Sequence, residues 1–208
     1  TLSYTMIHSW ASSTEVYPRS VVQVEEEGQY ISNYIALKPT KKVQSYPTVF
    51  VGKNAKTILN SLIFSHKNSC YDVGGRAILQ DEGARAEVIS RSVSSGGEVI
   101  ARTHILSQAD KTFGHMECSS LMLNQEGRVH AIPELESFSY DTTLSHEAMV
   151  GKIADEEVFY LMSRGLSEEE AISLIVRGFL SVDVKGIPSS IKEQIDETLK
   201  LLDSPNAL

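Results

Sequence analysis

A mainly β domain over residues 1–150, followed by a small helical domain over residues 151–208, is the architecture this 208-residue sequence predicts. Three observations lead there. Between about Ser20 and Phe138 the apolar residues come in short, β-branched runs, each long enough for a strand and too short for a lone helix. Gly52, Gly74-Gly75, Gly83, Gly96-Gly97, Gly114 and Gly127 punctuate those runs as turns. No helical pattern intervenes, which argues against a βαβ sheet, and only after residue 150 does the apolar spacing become helical.

Taken in order, the strand-like runs include Thr48–Val51, Ile58–Phe64, Ala86–Val93 and Glu98–Ile105. The alternation in Ala86–Val93 fits a one-sided strand only loosely, and the glycine spacings show no fixed repeat. Pattern alone therefore leaves sandwich, barrel and β-helix open. The acidic run Glu25-Glu26-Glu27 before Gly28 reads as a solvated turn.

Past residue 150 the signals are helical. Asp155-Glu156-Glu157 puts acids at a helix N-terminus, where the macrodipole favours them. Val158, Phe159, Leu161 and Met162 supply an apolar face, and Gly165 is the expected left-handed stop. Ser167-Glu168-Glu169-Glu170 reads as a capping box with Leu166 and Ala171 as its staple. The second helix carries Ile172, Ile175, Val176 and Phe179, and the short connection predicts an αα-hairpin. A third amphipathic helix is expected from Pro188, with Ile191, Ile195, Leu199 and Leu202 on one face.

Composition narrows the function classes. Hydrophobic content of 41% and charged content of 22% are those of a globular protein. A net charge of −8, with no basic stripe, argues against nucleic acid as a partner. No apolar run approaches the ~20 residues that span a bilayer, so no membrane helix is expected. The start, Thr1-Leu2-Ser3-Tyr4-Thr5, is not a signal peptide, and the chain reads as part of a longer protein. Two cysteines are too few for a disulfide framework, and a reducing cytoplasm is the simplest setting.

The residues able to carry chemistry are Cys118 with His115 and Glu117, and the pair His146-Glu147. Thiolate, imidazole and carboxylate are ligand types that iron and zinc accept, and a thiolate also receives transferred sulfur. The spacing matches no CxxC-type site, and from chemistry alone Cys118 reads as a small buried hydrophobe rather than a ligand. Cys70 has no nearby histidine or second cysteine and is expected to be structural. His8, His66, His104 and His130 stand singly, as surface or satisfied core histidines do. There is no GxxxxGK[ST] loop, GxGxxG, GxSxG or HExxH, so no motif announces an enzyme.

The stretch from Leu144 to Ile153, and then Asp155 to Ala171 with its Phe159-Tyr160-Leu161-Met162-Ser163-Arg164-Gly165 core, resembles the SufB/SufD family. The likeness continues through Ile175-Val176-Arg177-Gly178-Phe179. Upstream it takes in Tyr4–Trp10, Tyr46-Pro47-Thr48-Val49 and Cys118-Ser119-Ser120-Leu121. The resemblance implies a right-handed parallel β-helix followed by a C-terminal helical domain. It implies a non-enzymatic scaffold for iron–sulfur cluster assembly, paired through its β-helices as a homodimer or a SufB–SufD-type heterodimer. A SufC-type ABC ATPase would dock on the helical domain, and a separate sulfur donor would act. Phe159, Tyr160 and Arg164 suit such a docking platform, since aromatics and arginine are enriched in binding hot spots, although packing of the tail onto the β-domain would use the same side chains and fits Phe159 equally well.

By position, Cys118 is similar to the SufB cysteine that accepts sulfur and ligates the nascent cluster, with His146 and Glu147 completing coordination. Leu144 stands where SufD-type chains carry a cysteine, and Ser145 departs from many SufB chains, so the chain is SufB-like. A homodimer would place Cys118 of one subunit near His146 of the other. A reduced flavin in the full-length complex is left open. The rival readings are a SufD-like structural partner without ligation, a β-helix carbohydrate-active enzyme, and metal storage.

Overall fold

The computed structural model describes residues 1–180 and Glu193. Thirteen strands, numbered in chain order, fall into two sheets. The first holds β1 (Leu2–His8), β4 (Gln29–Ala36), β7 (Lys56–His66), β9 (Arg85–Ser95), β11 (Thr112–Met122) and β13 (Thr142–Lys152). The second holds β2 (Glu15–Val16), β3 (Val21–Val24), β5 (Lys42–Ser45), β6 (Thr48–Val51), β8 (Cys70–Leu79), β10 (Glu98–Ser107) and β12 (Arg128–Ser137). Every ladder between these strands is parallel, and each strand pairs with one a full coil later, giving a parallel β-helix of about five turns. The strand-like runs expected from the sequence lie within β6, β7, β9 and β10.

The coil length drifts, which is why the sequence shows no fixed repeat. Asn33 pairs with Asn60, 27 residues on, whereas Thr112 pairs with Thr142, 30 residues on. Side chains alternate across the wall, as successive strand residues must. On β9 the inward set is Ala86, Val88, Ser90 and Ser92, all buried, and Glu87, Ile89 and Arg91 face out. The alternation looked loose because the interior accepts serine. The Ser92 and Ser120 hydroxyls bond to each other at 2.7 Å across adjacent coils, so neither is left unsatisfied.

Apolar columns fill the rest of the interior. Val49, Val51, Leu79, Val88, Ile105 and Met116 form one cluster, and Val43, Ile63, Tyr71, Val73 and Val99 another. The second sheet is interrupted where Pro18 and Pro47, lacking N–H donors, separate β2 from β3 and β5 from β6. At that level β8 presents Gly74-Gly75. A Cβ on Gly74 would lie 1.5 Å from the Arg102 carbonyl oxygen, so only glycine admits the close approach of β10.

The helical tail follows its local signals. Helix α1 (Asp155–Ser163) ends on Gly165 at φ +99°, with Gly165 N–H donating to Met162 O and Leu166 N–H to Leu161 O, a Schellman closure. Helix α2 (Glu168–Leu180) opens on the capping box: Glu170 N–H donates to Ser167 Oγ at 3.2 Å, and Ser167 N–H to Glu170 Oε2 at 2.7 Å. Val176 and Leu180 pack on the outer wall of the first sheet against Ile35, Leu62, Phe64, Val93 and Leu121. The face expected of α1 is only half realised: Val158 is buried, while Phe159 and Met162 are exposed. The third expected helix lies outside the described residues apart from Glu193, which is helical. Among the described residues, no helix is long and apolar enough to cross a membrane.

Candidate functional site

Cys118 sits on β11 with its side chain inside the β-helix, 1% exposed. Its Sγ lies 3.3 Å from Thr103 Oγ1, a hydroxyl that is itself fully buried on β10. Burial pushes the thiol pKa up, the Thr103 hydrogen bond opposes that, and nearby Glu117 adds to the rise. A cavity of about 380 Å³ opens along the interior, lined among others by Tyr4, Tyr30, Tyr34, Gly75, Val88 and Thr103. It thus runs from the first coil to the residue that touches Cys118.

The parallel register decides which expected residues meet. Met116 pairs with His146, Glu117 with Glu147, and Cys118 with Ala148. Met116 and Cys118 point inward, so His146 and Ala148 occupy the inward side of β13. Among the described residues that strand ends its sheet, and His146 is exposed, one strand and two register positions from Cys118. Glu147 falls on the opposite side, stacked beside Glu117 on the outer wall. One chain therefore brings Cys118 and His146 to a common side and leaves Glu147 behind the sheet. His115 is also outward, bonded through Nδ1 to Ser145 Oγ at 3.0 Å. Among the described residues, no three histidine, cysteine, aspartate or glutamate side chains form a metal-sized cluster.

Glu117 does not stand free. Its Oε1 is 3.0 Å from Arg91 Nη2 and accepts a hydrogen bond from Ser119 Oγ at 3.1 Å. Arg91 Nη1 also donates to the Phe179 carbonyl of α2 at 3.2 Å. Cys70 is partly exposed at the start of β8, 3.7 Å from Glu98, and burial raises its pKa. Sequence reasoning missed Thr103 and Arg91. Nothing local signals either one, because Thr103 meets Cys118 across the interior from the opposite sheet and Arg91 meets Phe179 on the helical tail.

On α1, Phe159 is 65% exposed and Tyr160 58%. Arg164 Nη2 donates to the Tyr160 hydroxyl at 3.3 Å, and its guanidinium lies 5.3 Å from that ring's centroid, so the pair is held together. Beside them a pocket of about 220 Å³ is lined by Leu123, Ile153, Val158, Phe159 and Ile172, with Glu168 among its polar residues.

Residues 1–179 match the family model described as SUF system FeS cluster assembly, SufBD core domain. An iron–sulfur cluster assembly SufBD family protein of Archaeoglobus fulgidus is 52% identical over 202 residues, covering 97% of this chain and 55% of that protein. One of Methanothermobacter thermautotrophicus is 44% identical over 204 residues, covering 97% and 49%. One of Pyrococcus horikoshii is 37% identical over 198 residues, covering 95% and 44%. The chain spans about half the length of the curated relatives it matches.

Proposed function

The chain belongs to the SufBD family of iron–sulfur cluster assembly proteins, and we propose that it acts there as a scaffold on which sulfur and iron are brought together at Cys118. The observation that carries this reading is the placement of Cys118: an interior thiol hydrogen-bonded by Thr103, where the interior cavity ends. The Cys118 thiolate attacks the outer sulfur of a donor persulfide. The donor's S–S bond breaks as the new one forms, and the donor leaves as a thiolate, so no net oxidation occurs. Iron then meets sulfur and imidazole donors, Cys118 and His146, which suit it. Glu147 of the same chain faces away, so a third ligand comes from a second subunit seated on the edge that β12 and β13 form among the described residues. A homodimer supplies that subunit with the same side chains, and a SufD-type partner supplies it in a heterodimer.

The exposed Phe159, with Tyr160 and Arg164, forms the docking platform for a SufC-type ABC ATPase, since aromatics and arginine dominate binding hot spots. A reducing compartment, the cytoplasm, keeps the thiol free. The reduced flavin stays an expectation for the full-length complex and enters no step. The second reading, a SufD-like structural partner without ligation, is favoured by one observation, the burial of Cys118. The family assignment gives no support to a carbohydrate-active enzyme.

Anaerobic reconstitution with the ATPase partner, iron and sulfide separates these readings, comparing wild type with Cys118→Ser by iron–sulfur charge-transfer absorption. Loss of the bands in the variant alone is the scaffold result. Equal bands in both move the site away from Cys118, and no bands in either favour the structural role.

A further inference from the structure

Arg91 lies on the outer wall of β9, on the column next to the one that carries Glu117 and Glu147. One of its terminal nitrogens holds Glu117 at 3.0 Å, and the other holds the Phe179 carbonyl at 3.2 Å, 88 residues further along the chain. Its guanidinium carbon stands 5.9 Å from the centroid of the Phe179 ring. The remaining nitrogen, Nε, is buried without a hydrogen-bond partner among the described residues. The fork is therefore split between two bodies, one arm on the β-helix and one on the helical tail.

We infer that Arg91 is a positioning residue that couples the position of α2 to the Glu117–Glu147 pair, and through it to the strand covering Cys118. The inference rests on the scaffold reading, which gives the coupling its use. In the closed arrangement Arg91 neutralises Glu117, so the two in-register carboxylates of β11 and β13 tolerate each other. A displacement of α2 that draws Phe179 away takes Arg91 with it and leaves Glu117 opposite Glu147 without a countercharge. Like charges directly opposite on neighbouring strands destabilise their pairing. The pairing weakened is β11 with β13, the one that closes the coil over Cys118 and carries His146. A displacement of α2 thus reaches the strand beside the thiol through one side chain. Lysine would not replace it, because its donors sit on one nitrogen, whereas Glu117 and the Phe179 carbonyl are held by two different nitrogens of the planar fork.

Coupling between two places is reciprocal, so a change at Glu117 must be felt at α2. The test is amide hydrogen exchange at constant pH, read over Val176–Leu180 in the 208-residue protein. Glu117→Gln is expected to speed exchange there about three- to tenfold, the range of couplings carried by contacting residues. In an Arg91→Met background the same substitution is expected to change it less than about twofold. Arg91→Lys is expected to behave as Arg91→Met does and serves if the methionine variant does not fold.

The relay is overturned if Glu117→Gln leaves α2 exchange unchanged. It is equally overturned if the effect survives undiminished in either Arg91 variant. No cluster is involved in this measurement, so it is separable from the scaffold reading. Cluster assembly by Cys118→Ser would remove the scaffold reading and leave the relay in place, and a null exchange result would do the reverse.

Discussion

Truncating Phe159 to alanine is expected to weaken ATPase docking while leaving the fold almost untouched. The ring is 65% exposed, so only about a third of it is covered in the free chain. Complete burial of a phenylalanine is worth about 1.5–3 kcal/mol, so the loss to stability is roughly 0.5–1 kcal/mol. For a protein of this size that lowers Tm by less than about 4 °C. At a docking hot spot the same truncation removes about 2 kcal/mol or more, close to a thirtyfold rise in Kd. Isothermal titration calorimetry against the SufC-type ATPase reads the second quantity, and thermal unfolding reads the first. Val158→Ala is the comparator, because Val158 is buried beside it and its loss should lower Tm without touching the exposed ring. Binding by Phe159→Ala within twofold of wild type would refute docking at this ring. So would melting of that variant as early as Val158→Ala, since the ring would then be holding the fold.

Two further outcomes follow from the backbone and from buried histidines. Gly74→Ala is expected to destabilise by about 3 kcal/mol or more, because its methyl collides with the Arg102 carbonyl and forces β8 from β10. Gly151→Ala, where a Cβ would meet nothing within 4 Å among the described residues, should stay within about 0.5 kcal/mol, and urea midpoints compare the two. Burial lowers the pKa values of His8 and His66 below 6.5, the latter partly offset by its bond to the Leu37 carbonyl. The unfolded chain then binds more protons, so stability is complete above pH 6.5 and is lost as pH falls through the lower folded values. Urea unfolding across that window should show the slope, and His8→Gln with His66→Gln should flatten it.

The two described helices of the tail were legible because their signals are local. Gly165 stops α1 and the Ser167–Glu170 box starts α2, each within a handful of residues. The β-helix was not legible from pattern, since serines such as Ser90 and Ser92 face the interior and a coil drifts between 27 and 30 residues. Family resemblance supplied the architecture that periodicity could not. At the site, the sequence pointed to Cys118, His146 and Glu147 but not to which wall each faces, because that depends on strand parity and on register with the neighbouring coil. Thr103 beside Cys118, and Arg91 between Glu117 and Phe179, needed the folded coordinates, as no short motif contains both ends of either contact.

A stack of coils holds together by nearest-neighbour interfaces, so its free energy is close to a sum of one term per junction. A coil in the middle is gripped on two sides, and the last described coil, with β13 at its open edge, on one. Fraying therefore begins where a single junction has to break, at a free energy well below that of global unfolding. Cys118 lies one junction in from that edge, so its sulfur is sealed during most of the protein's life yet separated from solvent by the smallest cooperative unit the architecture offers.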